Sequence, residues 1–333
     1  MAHAHTGQPK NRTVIVPITP EEISREAALR ERFARFWAET KGAPRDVYDV
    51  FIAATPMASG AACEAVEEET VHGWWIRPLD GAAPPVGQGS AILYIHGGGY
   101  VQGSAKAYRG FVSQLVALTG IPALAIDYPL APEATLPAAT SAALAAWDWL
   151  VARGCERIAI VGDSAGGGLT LSTLIQLAAG TGQAHRDVAG HDHKARREPR
   201  PVAGVVFSPW TDLAFTGASM RDPAVQDPLI GFDYLRDCAR KYLGDAQPRD
   251  PLASPLHGDL RGLPPLLIQV GTDERLLDDS RQFAERAAAA GARVELEIWQ
   301  GMHHVFQLDL AHLESSRTAL AHAANFLRAG CTG

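Results

Sequence analysis

Cysteine is scarce. Four residues in 333, Cys63, Cys155, Cys238 and Cys331, stand far apart with no CxxC pair. That argues against a disulfide framework and against a zinc site built on thiolates. The first residues, MAHAHTGQPKNRTV, hold no apolar core of signal-peptide length. No uncharged apolar run reaches the roughly 18 residues of a membrane helix. Positive charge is in deficit too: 30 Lys plus Arg stand against 37 Asp plus Glu, a net charge of -7. Neutralising phosphates takes a basic face, so nucleic acid is not an expected partner. The default expectation is a reduced, cytoplasmic, soluble protein.

What is present suits a packed globule. Hydrophobic residues make up 47% and charged residues 20%, close to the soluble average. At roughly 150 residues per domain, the length allows one large domain or two small ones. Residues 1–18 read as a loose tail. Thr19-Pro20-Glu21-Glu22 reads as a helix start, with a Thr cap, Pro in the first turn and acids against the dipole. Ile23, Ala27, Arg30, Phe33 and Trp37 follow at helical spacing, and Gly42 and Pro44 end the segment.

Beyond residue 63 the period changes. Residues 64–75 alternate as a strand does, and short apolar runs recur at 91–95, 122–126, 157–161, 202–207, 265–270 and 294–299. Segments of helix length separate most of them, at 108–119, 138–152, 167–179, 278–290 and 314–327. This alternation predicts a mostly parallel sheet with helices on both faces. Two stretches interrupt it. Residues 182–200 are polar and rich in His and basic residues, an exposed loop in which His185, His191 and His193 have nothing to pre-organise them as metal ligands. Residues 211–264 are long, rich in Asp-Pro turns and contain a short helix near 233–243, a candidate cap.

The chemistry concentrates at three places. Gly162-Asp163-Ser164-Ala165-Gly166 fits G-x-S-x-G between an apolar run and a helix, the context of a nucleophile elbow. Side chains at the two glycines would collide in so tight a turn, and the helix start behind Ser164 favours developing negative charge. His96-Gly97-Gly98-Gly99-Tyr100 follows an earlier strand, and its glycines leave backbone N–H groups open to an oxyanion. After the strand ending at Val270 comes Thr272-Asp273-Glu274; after the one ending at Trp299 comes Gly301-Met302-His303-His304. Open α/β sheets place their sites at such carboxyl ends. Asp273, nearest its strand, is the expected acid, and Asp278 and Asp279 are expected to cap the next helix. Either histidine serves as base on these grounds. Tyr100, Trp210 and Phe215 are candidate pocket walls.

HGGGY, DYPLAPE (127–133), GDSAGG (162–167), SPWTDL (208–213), VGTDERLLDDS (270–280) and GMHHVF (301–306) together resemble the hormone-sensitive-lipase-like family of bacterial carboxylesterases. The GDSAGG form is similar to the branch that holds short-chain esterases and monoterpene lactone hydrolases. The resemblance spans about 90–310. It implies an α/β-hydrolase fold with a mostly parallel eight-stranded sheet and a helical cap. The cap would comprise residues 1–50 and the insertion 211–260, and the catalytic core 51–210 and 261–333. Carried over by position, Ser164 is the nucleophile, Asp273 the acid and His304 the base. Gly98, Gly99 and Ala165 supply the oxyanion hole, and His96 braces its loop. Adjacent side chains on an extended loop point apart, so His303 should face solvent or cap. No cofactor and no metal are implied. The substrate would be a small-molecule ester of short-to-medium acyl chain, or alternatively a lactone; a homodimer is compatible. A ligand-binding homologue that has lost catalysis is disfavoured, because the reactive residues are all in place.

Overall fold

The computed structural model describes residues 11–79, 89–180 and 199–332. The chain opens with β1 (Asn11–Val16), then α1 (Pro20–Glu39) and α2 (Pro44–Ile52). β2 (Ala61–Glu67) and β3 (His72–Pro78) form an antiparallel hairpin. There follow β4 (Ser90–Ile95), α3 (Ala105–Thr119), β5 (Ala123–Asp127), α4 (Ala138–Ala152), β6 (Arg157–Asp163), α5 (Ser164–Gly180) and β7 (Pro201–Phe207). After a long excursion containing α6 (Phe232–Leu243) come β8 (Leu266–Gly271), α7 (Leu277–Ala289), β9 (Val294–Trp299) and α8 (Glu314–Thr332). The strands make one sheet in the order β1-β9-β8-β7-β6-β4-β5-β3-β2. β3 runs antiparallel to both β2 and β5, and every other pairing is parallel.

Strand alternation divides the core between the two faces. In β4, Ala91, Leu93 and Ile95 pack with Trp147 of α4, Leu169 and Leu174 of α5 and Phe283 of α7. Ile92 and Tyr94 pack on the opposite face with Phe111 and Leu115 of α3 and Leu320 of α8. Both faces of β4 are fully buried, which is why it reads as a continuous apolar run. Each such aliphatic or aromatic side chain contributes about 1.5–3 kcal/mol by leaving water.

The α/β-hydrolase expectation holds, with three corrections. Among the described residues the sheet has nine strands, not eight, because residues expected as a loose tail form β1 and pair in parallel with β9 from Asn11↔Val294 to Val16↔Trp299. The strand is short, polar at its start and lies at the sheet edge, so it carries little alternation to read. Pro44 ends nothing; it stands at the first position of α2, where its missing N–H costs nothing. The buried face of α1 is Glu22, Glu26, Leu29 and Phe33, one residue off the expected stripe, and Ile23 is exposed. The rotation follows from the partners of the two carboxylates. Glu22 accepts from the Ser315 N–H, and Glu26 meets His303. The Thr19 cap is in place, its hydroxyl accepting from the Glu22 N–H at 3.2 Å. The His-rich stretch 182–200 falls almost wholly outside the described residues.

Candidate active site

β6 delivers Ser164 into the tight turn that opens α5, with φ at 51°, a conformation rare for a residue with a side chain. The turn is close-packed. A Cβ on Gly162 would strike the Gly166 carbonyl, and one on Gly166 would strike the carbonyls of Ile95 and His96. The steric reason for both glycines is thus visible in the fold.

His304, after β9, lies with Nε2 2.9 Å from the Ser164 hydroxyl oxygen. Its Nδ1 lies 3.2 Å from Oε1 of Glu274, not of Asp273. A single tautomer, with the proton on Nδ1, serves both contacts. Glu274 is fully buried, and its other oxygen accepts from the Ser208 hydroxyl at 2.6 Å and the Gly271 N–H at 2.9 Å. Asp273, the expected acid, turns away. Its carboxylate is 41% exposed and meets Nη2 of Arg30 on α1 at 3.0 Å. The correction has a plain geometric cause: in the turn after β8, neighbouring side chains leave on opposite sides, and the second residue is the one aimed at His304. The adjacency of two acids in Thr272-Asp273-Glu274 was the only signal in the sequence, and it does not choose between them.

Ser208 is the other residue that sequence reasoning passed over. Besides donating to Glu274, its hydroxyl accepts from the Val305 N–H at 3.1 Å, fastening the acid and the His304 loop together. Asp278 and Asp279 were expected to cap α7. Instead they accept backbone N–H groups from elsewhere, Asp278 from Ser219 and Asp279 from Thr211 and Asp212.

The glycine loop after β4 faces the same space. Gly98 and Gly99 adopt φ of 114° and 63°, which glycine alone accepts without strain. Both line a cavity of about 540 Å³ together with Ser164 and His304. Ala165 is the second residue of α5, where the helix itself offers the N–H no acceptor. The loop is held from below: the Gly97 N–H donates to Asp163 Oδ1 at 3.0 Å, and Asp163 also accepts from the hydroxyls of Tyr94 (2.7 Å) and Tyr108 (2.9 Å). Burial raises the Asp163 pKa, and the two tyrosine hydrogen bonds offset part of that rise. His96 braces the loop, with Nδ1 2.7 Å from the Gly97 carbonyl and its ring stacked on Tyr128 at 4.4 Å.

Other parts of the cavity wall come from α1 and α2 (Trp37, Tyr48, Phe51), from the excursion after β7 (Leu229, Tyr234) and from Val305 and Leu308 beyond His304. Tyr100, Trp210 and Phe215 do not line it. Tyr100 is buried against Tyr242, the rings 3.8 Å apart, and Trp210 packs between Tyr100 and Phe215. These three pack in the core with Tyr242 of α6 rather than in the cavity wall.

His303 points the opposite way from His304. Its Nδ1 lies 2.8 Å from Glu26 of α1 and its Nε2 3.0 Å from Asp309. Burial alone would lower its pKa, but the hydrogen bonds and charges of Asp309 and Glu26 outweigh it and raise the pKa to about 10. Glu26 is held below the usual carboxylate range: burial pushes it up, and the bond and charge of His303, with Arg30, push it down further.

A serine hydroxyl, an imidazole and a buried carboxylate stand in series at the carboxyl edge of a parallel sheet, the arrangement that serine hydrolases use. Similarity to known proteins narrows the class. Residues 92–308 match the family described as the alpha/beta hydrolase fold. The chain is 41% identical over 256 residues to an acetyl-hydrolase of Streptomyces hygroscopicus, covering 76% of this chain and 78% of that one. It is 34% identical over 236 residues to an ethyl acetate hydrolase of Pseudomonas putida, covering 67% of each. A solved esterase of the bacterial hormone-sensitive lipase family superposes with a TM-score of 0.81 at 36% identity, over 95% of this chain and 100% of that one. The chain belongs to the α/β-hydrolase family, among the bacterial hormone-sensitive-lipase-like esterases.

Proposed function

We propose that the protein is a carboxylesterase that cleaves small esters of short-to-medium acyl chain through an acyl-enzyme. The observation that carries this reading is the unbroken series Ser164–His304–Glu274 opening onto an apolar cavity. His304 Nε2 takes the Ser164 proton as Oγ bonds to the ester carbonyl carbon. Glu274 holds the imidazole in the right tautomer and stabilises its charged form. N–H groups of Gly98, Gly99 and Ala165 receive the oxyanion. The tetrahedral intermediate collapses, the C–O bond to the alcohol breaks, and the alkoxide leaves with the proton from His304. Water, deprotonated by the same imidazole, then releases the acid and restores Ser164.

In this reading α1, α2 and the segment 211–260 form a cap over the core, which their side chains in the cavity wall support. The four cysteines are free, which supports a reducing, cytoplasmic setting. Among the described residues, no helix is long and apolar enough to cross a membrane.

The test is titration with an organophosphate, followed by mass measurement of the labelled peptide and turnover of an ester chain-length series beside a few lactones. Stoichiometric label on Ser164 with ester turnover is the expected result. Label elsewhere, or turnover that survives in Ser164→Ala, overturns the assignment; turnover of lactones alone would move the substrate class.

A further inference from the structure

The cavity at Ser164 shares a wall with a second, smaller one. The first measures about 540 Å³ and the second about 170 Å³. Phe51, Ile52, Leu229, Val305 and Leu308 line both. Ile52 and Val305 are buried and belong to the core cluster beneath the sheet, so they are fixed parts of the wall. Phe51 differs. It is the aromatic member of the five, in the last turn of α2 and half-buried as Leu229 and Leu308 are, and its ring packs with aromatic side chains of both spaces, among which Phe36 and Trp37 also meet each other at 5.2 Å. Its centroid lies 5.0 Å from Trp37, which lines the Ser164 cavity, and 5.3 Å and 5.2 Å from Phe33 and Phe36, which line the second.

We propose that Phe51 is the partition that sets how long an aliphatic chain the Ser164 site accepts, and that the second cavity is the continuation of that chain's path. The proposal rests on the esterase reading above. The chemistry of the walls selects the occupant. Most of the lining is apolar, with Leu29, Phe33, Phe36 and Val50 among it, so an uncharged alkyl chain is the occupant these walls favour. Arg32, Thr55, Asp309 and His312 line the second cavity as well. With Phe51 in place the path stops at its ring. Without that ring the two spaces join.

The experiment compares the parent with Phe51→Ala, Phe51→Leu and Phe51→Trp in two substrate series. One lengthens the acyl chain of p-nitrophenyl esters, and the other lengthens the alcohol of alkyl acetates. A methylene gained or lost in an apolar pocket changes kcat/KM by about tenfold or more. Phe51→Ala and Phe51→Leu should therefore raise the long-to-short ratio of kcat/KM at least about tenfold in one series, and Phe51→Trp should lower it. The series that responds tells which half of the ester runs past Phe51. Leucine keeps an apolar side chain in the wall and answers the question if the alanine variant fails to fold. Unchanged profiles in both series, for folded variants whose Ser164 still titrates with organophosphate, overturn the partition and leave the esterase reading standing. A parent enzyme that takes no label and turns over neither series overturns both.

Discussion

Glu274 lies buried with one carboxylate oxygen 3.2 Å from Nδ1 of His304, while its neighbour Asp273 pairs with Arg30 at the edge of the site. Two adjacent acids thus divide the work: one faces the imidazole, and the other fastens α1 to the loop that carries it. Arg30 extends the fastening, donating also to Glu26 and to the Gly301 carbonyl.

The division gives a first prediction. Glu274→Gln should lower kcat by about four orders of magnitude, because a neutral amide no longer enforces the tautomer or stabilises the imidazolium. Asp273→Asn should change kcat less than about tenfold, since a half-exposed ion pair contributes little. Steady-state kinetics on the two variants at matched folding decide between them. Near-parental turnover in Glu274→Gln with loss in Asp273→Asn would restore the acid to the residue nearest the strand.

Ser208 supports a second prediction. Ser208→Ala removes the donor to Glu274 and the acceptor of the Val305 N–H, leaving both buried groups short of a partner. The expected loss of stability is about 1–3 kcal/mol, read from denaturant unfolding. kcat should fall with it, because the acid and the His304 loop lose their common anchor. A variant as stable and as active as the parent would show that Ser208 only fills space.

The sequence made the sheet legible because buried strands and their helices repeat at clear intervals, and the elbow legible because sterics demand glycine at 162 and 166 around Ser164. The residues alone left His303 and His304 open, and it was the family resemblance of GMHHVF that pointed to His304, the one that meets Ser164. What escaped it depends on rotation about short stretches of backbone. Asp273 and Glu274 differ by one step in a turn, and no local pattern says which faces inward. The buried face of α1 was misplaced for a related reason: Glu22 and Glu26 are charged, and only their distant partners Ser315 and His303 make them interior residues. β1 is ordered by pairing with β9 at the far end of the chain, which local sequence does not carry.

The buried pair of His303 and Glu26 sets a third prediction, on pH. An unfolded histidine titrates near 6.5, whereas His303 titrates at about 10 in the fold. A raised folded pKa contributes stability in full below the unfolded value, and that stability is lost as pH rises through the folded one. The advantage of the parent over His303→Gln should thus shrink steadily between about pH 6.5 and 10. The Glu26 contribution has the opposite sign: its pKa is lowered, so its part is present above the ordinary carboxylate range and lost in acid. Urea midpoints of the two proteins across this range measure the difference. A gap that does not change with pH would mean His303 is neutral in the fold.

α1 covers the loop that carries His304. Leu29 and Phe33 pack against Trp299, Met302 and Phe306, the side chains on either side of the His304 loop. Phe33 also meets His303 edge-on, the ring centroids 5.1 Å apart. Removing residues 1–45 would strip this apolar contact and take Glu26 and Arg30 with it, leaving His303 buried with Asp309 as its remaining partner. The loss of Glu26 and of the α1 cover weakens what holds His303 in place. The truncated protein should bind hydrophobic dye, unfold at lower denaturant and lose most of its esterase activity. Phe33→Ala isolates the packing part, with an expected cost of about 3–5 kcal/mol and the ionic contacts retained. Dye fluorescence, urea midpoints and kcat/KM on one short ester check both variants. A truncated protein that is monodisperse, binds no more dye than the parent and keeps its chain-length preference would show that α1 neither covers the site nor helps to shape it.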